Sequence, residues 1–214
     1  YLLLLFQMPC IRIASTAQIF VGQYKGAGEN ESIGPAVWQM IWFSLFSMIV
    51  LYPLSWPIGQ MFFQNTSIQA EGLSYFRFMM NFNFLFPLGA TLSSFYLGQG
   101  QGKFVMLASA ASHVTHILLD FPLIFGFSNL LPPLGVQGAA ISASVAQLLF
   151  CAILFRNFLK PLHQRLYNTA HFTFNGPMFW KSLKIGIPRA GSKIMFLSSW
   201  AAATHIIIHK EADY

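Results

Sequence analysis

The chain has 214 residues, of which 55% are hydrophobic and 8% charged, and its formal net charge is +6. Soluble domains carry about 25% charged residues, so water cannot be the main solvent of this surface and lipid must take that place. The positive charge does not point to nucleic acid, because seven of the twelve Lys and Arg fall in alternate connections between apolar runs.

From the N-terminus, those runs are Tyr1–Gly22, Val37–Phe63, Leu73–Gly98, Phe104–Phe127, Val136–Phe155 and Ile185–Ile208. Each approaches or exceeds the roughly 20 residues with which a helix crosses the hydrocarbon core, which predicts six spans. Pro53, Pro57, Pro87, Pro122 and Pro188 lie inside them. A helix bundle tolerates such prolines when neighbours satisfy the freed backbone groups. The chain opens without Met inside an apolar run and has no recognisable signal peptide, as expected of an interior piece of a larger membrane protein.

Val21–Gly28 ends the first span, its glycines supplying the freedom of a helix stop. Glu29 to Pro35 is a polar turn into a second span rich in Trp and Phe, and Gln64 to Gly72 is a hairpin. Gly98 to Gly102 is a second, tight hairpin without the preceding strand or the spacing of a phosphate cradle. Residues 126–138 form a compact turn into a helix of small residues: Gly138, Ala139, Ala140, Ser142, Ala143 and Ser144. Such residues allow close helix approach in lipid. Arg156 to Lys184, broken by Pro161, Asn175, Gly176 and Pro177, reads as a linker between two membrane bundles.

Lys25, Lys103, Arg156, Lys160, Arg165, Lys181 and Lys184 occupy alternate connections, whereas 64–72 and 128–135 hold no Lys or Arg. The excess of basic residues marks the cytoplasmic side. The 23–36, 98–104 and 156–185 connections are therefore expected inside, and both chain ends outside. Cys10 and Cys151 fall within predicted helices, which argues against a structural disulfide or a metal motif.

Asp120 is the one acidic residue set inside a long apolar run. A carboxylate in a membrane helix costs roughly 2.5–3.5 kcal/mol on insertion scales, so its default reading is functional. His113, His116 and Asp120 fall at i, i+3 and i+7 and share a helix face. Such a face can form a titratable pocket. A structural reading has Asp120 bridging helices through Arg12 or Arg77. The histidines either tune Asp120 or pack by hydrogen bonds, and a zinc site from the three lacks a fourth ligand in sequence reach. Most of the 23 Phe and nine Met face lipid or other helices, although such residues also suit cavities for bulky apolar or cationic compounds. Gln7, Gln18, Asn81, Asn83 and Gln147 are polar groups inside spans, where each serves interhelical hydrogen bonds or a cavity.

Several segments together, in this order, resemble the multidrug and toxic compound extrusion family of cation-coupled antiporters. They are Val21–Gly28, Tyr96–Gly100, Leu119–Gly126, Pro133–Ile141 and Leu183–Pro188. The resemblance implies an all-α, polytopic transmembrane bundle equivalent to helices two to seven of a twelve-helix, two-lobe transporter. Residues 1–155 would be the first lobe without its first helix, 156–184 the cytoplasmic inter-lobe linker, and 185–214 the truncated first helix of the second lobe.

Asp120 is similar to the fifth-helix acid of the DNA-damage-inducible subgroup, which lies in a proton-sensing cavity. His116 and His113 stand where that subgroup usually has Asn, and Ser93 stands at a fourth-helix position that is often Asn. Another subgroup carries an essential seventh-helix Glu, but nothing acidic lies between Gly186 and Lys210 here. The expected ion-coupling residues are Asp120, His116 and His113, and the substrate-cavity candidates are Ser93, Asn83 and Gln147.

The resemblance implies export of organic, often cationic or amphipathic compounds by alternating access, coupled to H⁺ in preference to Na⁺. The protein would not be an enzyme, would hold no metal and no cofactor, and would be multi-pass in the inner cell membrane. Its partners would be lipid and small organic substrates, with no nucleic acid, and it would be a monomer at full length. The alternatives are a lipid-linked saccharide flippase of the same superfamily, which would need a cationic central cavity, and a membrane-embedded metalloenzyme.

Overall fold

The computed structural model describes residues 2–64, 69–127 and 132–211. The tips of the two predicted outer connections, 65–68 and 128–131, and the last residues of the predicted second-lobe segment lie outside this set. The described chain is helical throughout: α1 (Leu2–Ala14), α2 (Ala17–Ala27), a 3₁₀ turn (Asn30–Ser32), α3 (Ile33–Phe63), α4 (Gln69–Asn81), α5 (Leu85–Leu97), α6 (Gly102–Phe125), α7 (Val136–Phe158), α8 (Pro161–Tyr167) and α9 (Gly176–Glu211).

By length and apolar composition, four segments can cross a membrane: Leu2–Ala27, Asn30–Phe63, Gly102–Phe125 and Val136–Phe158. On α6, Val114, Ile117, Leu118, Phe121 and Phe125 are each more than half exposed, a face that lipid can solvate and water cannot.

The third predicted span is two helices rather than one. Pro87 has no N–H to give the Asn83 carbonyl, and its ring crowds that carbonyl. The chain tightens instead into short turns, with Leu85 N donating to Phe82 O and Phe86 N to Asn83 O at 3.1 and 3.2 Å. The first span breaks similarly at Ser15–Thr16, where the Ser15 and Thr16 hydroxyls bond the Arg12 and Ile13 carbonyls. Pro53 and Pro57, by contrast, sit within an unbroken α3.

Two apolar clusters hold the bundle. The larger joins Val21, Val37, Ile41, Leu92, Phe95, Tyr96, Leu154 and Phe158 at the end of the bundle that carries the basic connections. The smaller joins Leu51, Phe76 and Met80 toward the opposite end. Ser44, Thr91 and Ser142 are buried polar residues in the helices, and Asn83 is a buried polar residue in the turn between α4 and α5.

The predicted linker is more ordered than its composition implied. Helix α7 runs to Phe158, α8 fills 161–167, and α9 begins at Gly176, nine residues before the predicted span. The extended piece between them is fastened to α3. Trp38 Nε1 donates to Thr169 O at 2.8 Å, Trp42 Nε1 to Phe172 O at 3.2 Å, and Gln39 Nε2 to Thr173 O at 3.1 Å. Gln39 Oε1 accepts from Asn175 N at 2.9 Å. Gly34 lets this segment lie directly on α3, since a Cβ there would collide with the backbone of Tyr167 and Asn168.

Candidate ion-coupling site

The site is set by how closely α6 and α7 approach. On α7, Gly138, Ser142 and Ala146 recur every four residues and form a small-residue stripe toward α6. A Cβ on Gly138 would lie 2.9 Å from the Ile124 nitrogen and closer still to the Leu123 carbonyl. Lower down, Ser112 Oγ of α6 donates to Ala146 O at 2.6 Å. At the other end, Leu134 N and Gly135 N donate to Leu123 O and Ile124 O, each at 3.1 Å. These bonds satisfy carbonyls that the end of a helix leaves open.

Asp120 lies inside this seam. Its Oδ1 accepts a hydrogen bond from Ser142 Oγ, and His116 Nε2 of the preceding turn stands 3.6 Å from the same oxygen. Asp120 and His116 are about one-third exposed. At that separation His116 is an ion-pair partner only when protonated, and its distance exceeds a direct hydrogen bond. Ser142 Oγ also lies 2.9 Å from Ala139 O.

One hydroxyl proton therefore has two acceptors. Beside an ionised Asp120 the hydroxyl donates to the carboxylate. Beside a protonated Asp120 it can accept from the acid and turn its own proton to Ala139 O. Ser back-bonding of this kind slightly weakens and bends helices.

His113 sits two turns from Asp120 on α6 and is exposed, so the three predicted ion-coupling residues are a contacting pair and an outlier. Among the described residues, no three His, Cys, Asp or Glu side chains are grouped to hold a metal ion. Neither Arg12 nor Arg77 forms an ion pair with Asp120, and Arg12 is exposed at the end of α1.

The predicted cavity residues lie on α5, on α7 and at the α4–α5 break. Asn83 is fully buried at the α4–α5 break, with both amide atoms unpartnered. Gln147 of α7 donates to Leu85 O at 3.1 Å, and Cys151 Sγ lies 3.2 Å from the same carbonyl. Gly89 gives Gln147 room, since a Cβ there would lie 2.6 Å from Gln147 Nε2. Ser93 is buried on α5. Ser142, the direct partner of Asp120, was visible in the sequence only as one small residue among six. Its four-residue spacing from Gly138 and Ala146 is the signal that singles it out.

A polytopic helix bundle with broken spans and an acidic residue inside an apolar helix is an architecture that membrane transporters use. The MatE family model matches residues 2–121, more than half of the chain, and the chain belongs to that family. The "Probable multidrug resistance protein NorM" of Thermotoga maritima is 22% identical over 97% of this chain and 45% of its own length. The "Uncharacterized transporter YisQ" of Bacillus subtilis is 23% identical over 91% of this chain and 44% of its own. The chain thus spans less than half the length of these relatives.

A solved structure described as the inward-facing conformation of a multidrug resistance MATE family transporter of the MOP superfamily shares the fold. It aligns with a TM-score of 0.70 and 15% identity, over 89% of this chain and 43% of that one. Members of the family are transporters, not enzymes.

Proposed function

We propose that the intact protein exports organic compounds, cationic or amphipathic in character, in exchange for protons. The observation that carries this reading is the Asp120–Ser142 bond across the α6–α7 seam, with His116 beside it. A proton arriving from outside neutralises Asp120, reverses the Ser142 hydrogen bond and alters the fit of α7 against α6. That arrangement disfavours bound substrate. Loss of the proton inward restores the first arrangement as the two lobes alternate. Asn83, Gln147 and Ser93 line the substrate path in this reading. The protein acts as a monomer in the inner cell membrane, with 156–184 on the cytoplasmic face.

The test is uptake of a fluorescent cationic dye into inverted vesicles carrying the intact protein, driven by an imposed pH or sodium gradient. A pH gradient drives uptake by the native protein, Asp120→Asn abolishes it, and Ser142→Ala reduces it. Uptake that follows the sodium gradient alone refutes proton coupling. Uptake unchanged by Asp120→Asn removes Asp120 from the mechanism.

A further inference from the structure

We infer that a second site, separate from Asp120, binds an anionic phosphate group at Arg77. Arg77 lies on α4 and faces a cavity of about 580 Å³ between α3, α4 and α7, whose lining includes Tyr52, Ser74, Asn81 and Gln137. Its guanidinium carbon stands 3.7 Å from the centre of the Trp56 ring on α3. The Arg77 Nε is fully buried and has no hydrogen-bond partner. Among the described residues no carboxylate forms an ion pair with Arg77, and no acidic side chain lines the cavity.

A guanidinium set among apolar helices needs compensation. The Trp56 face supplies part of it by cation–π attraction. It leaves the guanidinium edge, with its fixed fork of N–H donors, directed at no protein acceptor. A phosphate matches that fork with two parallel charge-assisted hydrogen bonds. The remaining polar groups fit the same ligand. Gln137 Nε2 donates to Ser74 Oγ at 2.8 Å and ties the first turn of α7 to α4, leaving a hydroxyl and amides at the cavity wall.

The depth also fits. Trp56 is about two turns before the end of α3 and Arg77 about two turns into α4, close to where headgroups meet acyl chains. Trp and Tyr concentrate at that level of a bilayer, and Tyr52 and Trp56 are both more than half exposed. The phosphate can belong to a lipid headgroup or to a soluble anion, and the chemistry at Arg77 is the same for both.

The experiment is native mass spectrometry with a parallel thermal-shift assay on the intact protein in a neutral detergent. The added probes are phosphatidylglycerol, a phosphate-free galactosyl diacylglycerol, and inorganic phosphate. The native protein should prefer phosphatidylglycerol over the galactolipid by about tenfold or more, the scale of a bidentate charge-assisted pair. Arg77→Gln should erase the preference, and Gln137→Leu, in the exposed first turn of α7, should weaken it several-fold. Arg77-dependent protection by phosphatidylglycerol alone assigns a lipid occupant. Equal Arg77-dependent protection by inorganic phosphate assigns a soluble one at the same site. Lipid preference that survives in folded Arg77→Gln and Gln137→Leu protein overturns the proposal, as does the lack of any preference in the native protein.

Discussion

Gly138→Ala tests the α6–α7 seam most cleanly, because the obstruction it meets is backbone. In an open helix, Gly→Ala gains about 1 kcal/mol from propensity. At Gly138 the new methyl group meets the Leu123 carbonyl and the Ile124 nitrogen, neither of which can swing aside as a side chain tip would. Overpacking costs about 1–3 kcal/mol, and with backbone as the obstruction the upper end applies, so the net change is a loss of roughly 2 kcal/mol. For a domain of this size that lowers the melting temperature by roughly 4–8 °C. Gly22, mid-way along α2, is the control: nothing lies within 4 Å of a Cβ built on it. Gly22→Ala should therefore be neutral or raise the melting temperature by roughly 2–4 °C. The assay is thermal denaturation of the detergent-solubilised protein, followed by size-exclusion chromatography. Equal shifts for the two variants would refute the close approach, and with it the geometry that brings Ser142 to Asp120.

Three further outcomes follow from specific contacts. Gly89→Ala should displace Gln147 from Leu85 O at a cost of about 0.5–1.5 kcal/mol that roughly offsets the gain of about 1 kcal/mol from helix propensity, and it should become net stabilising in a Gln147→Ala background; additive effects in the double-mutant cycle would count against it. Gln39→Leu should cost about 1–3 kcal/mol and speed hydrogen exchange at the Asn175 amide, whereas unchanged exchange there would show that Gln39 does not clamp the linker. Asn83→Leu removes a buried amide whose atoms have no partner, so it should leave the melting temperature equal or higher while lowering dye transport; a melting temperature several degrees lower would show that the amide is structurally paired.

Hydropathy made four of the six predicted spans legible, while neither Leu73–Gly98 nor Ile185–Ile208 is among the helices long and apolar enough to cross. It could not show that the third span is two helices. The residues from Leu73 to Gly98 are apolar on both sides of the break, and the interruption comes from the N–H that Pro87 lacks. The basic connections were read from charge, yet the fastening of 169–175 by Trp38, Gln39 and Trp42 joins residues about 130 apart in sequence. No local pattern reports such pairing, and Gln39 inside an apolar run looks the same whether it faces a linker or a cavity. Asp120 stood out because an isolated carboxylate in hydrocarbon is costly. Helical spacing placed His113 on its line, but the two-turn separation left His113 beyond contact. Ser142 was hidden for the opposite reason: a hydroxyl in a helix is cheap, and only the packing of α7 on α6 brings this one to Asp120.

The most direct measurement is proton release on substrate binding, recorded with a pH-sensitive dye in weakly buffered solution of the solubilised intact protein. If Asp120 exchanges its proton for substrate, adding a cationic drug releases protons from the native protein and none from Asp120→Asn, with drug binding still detectable in both. Equal proton release from the two proteins would contradict the account.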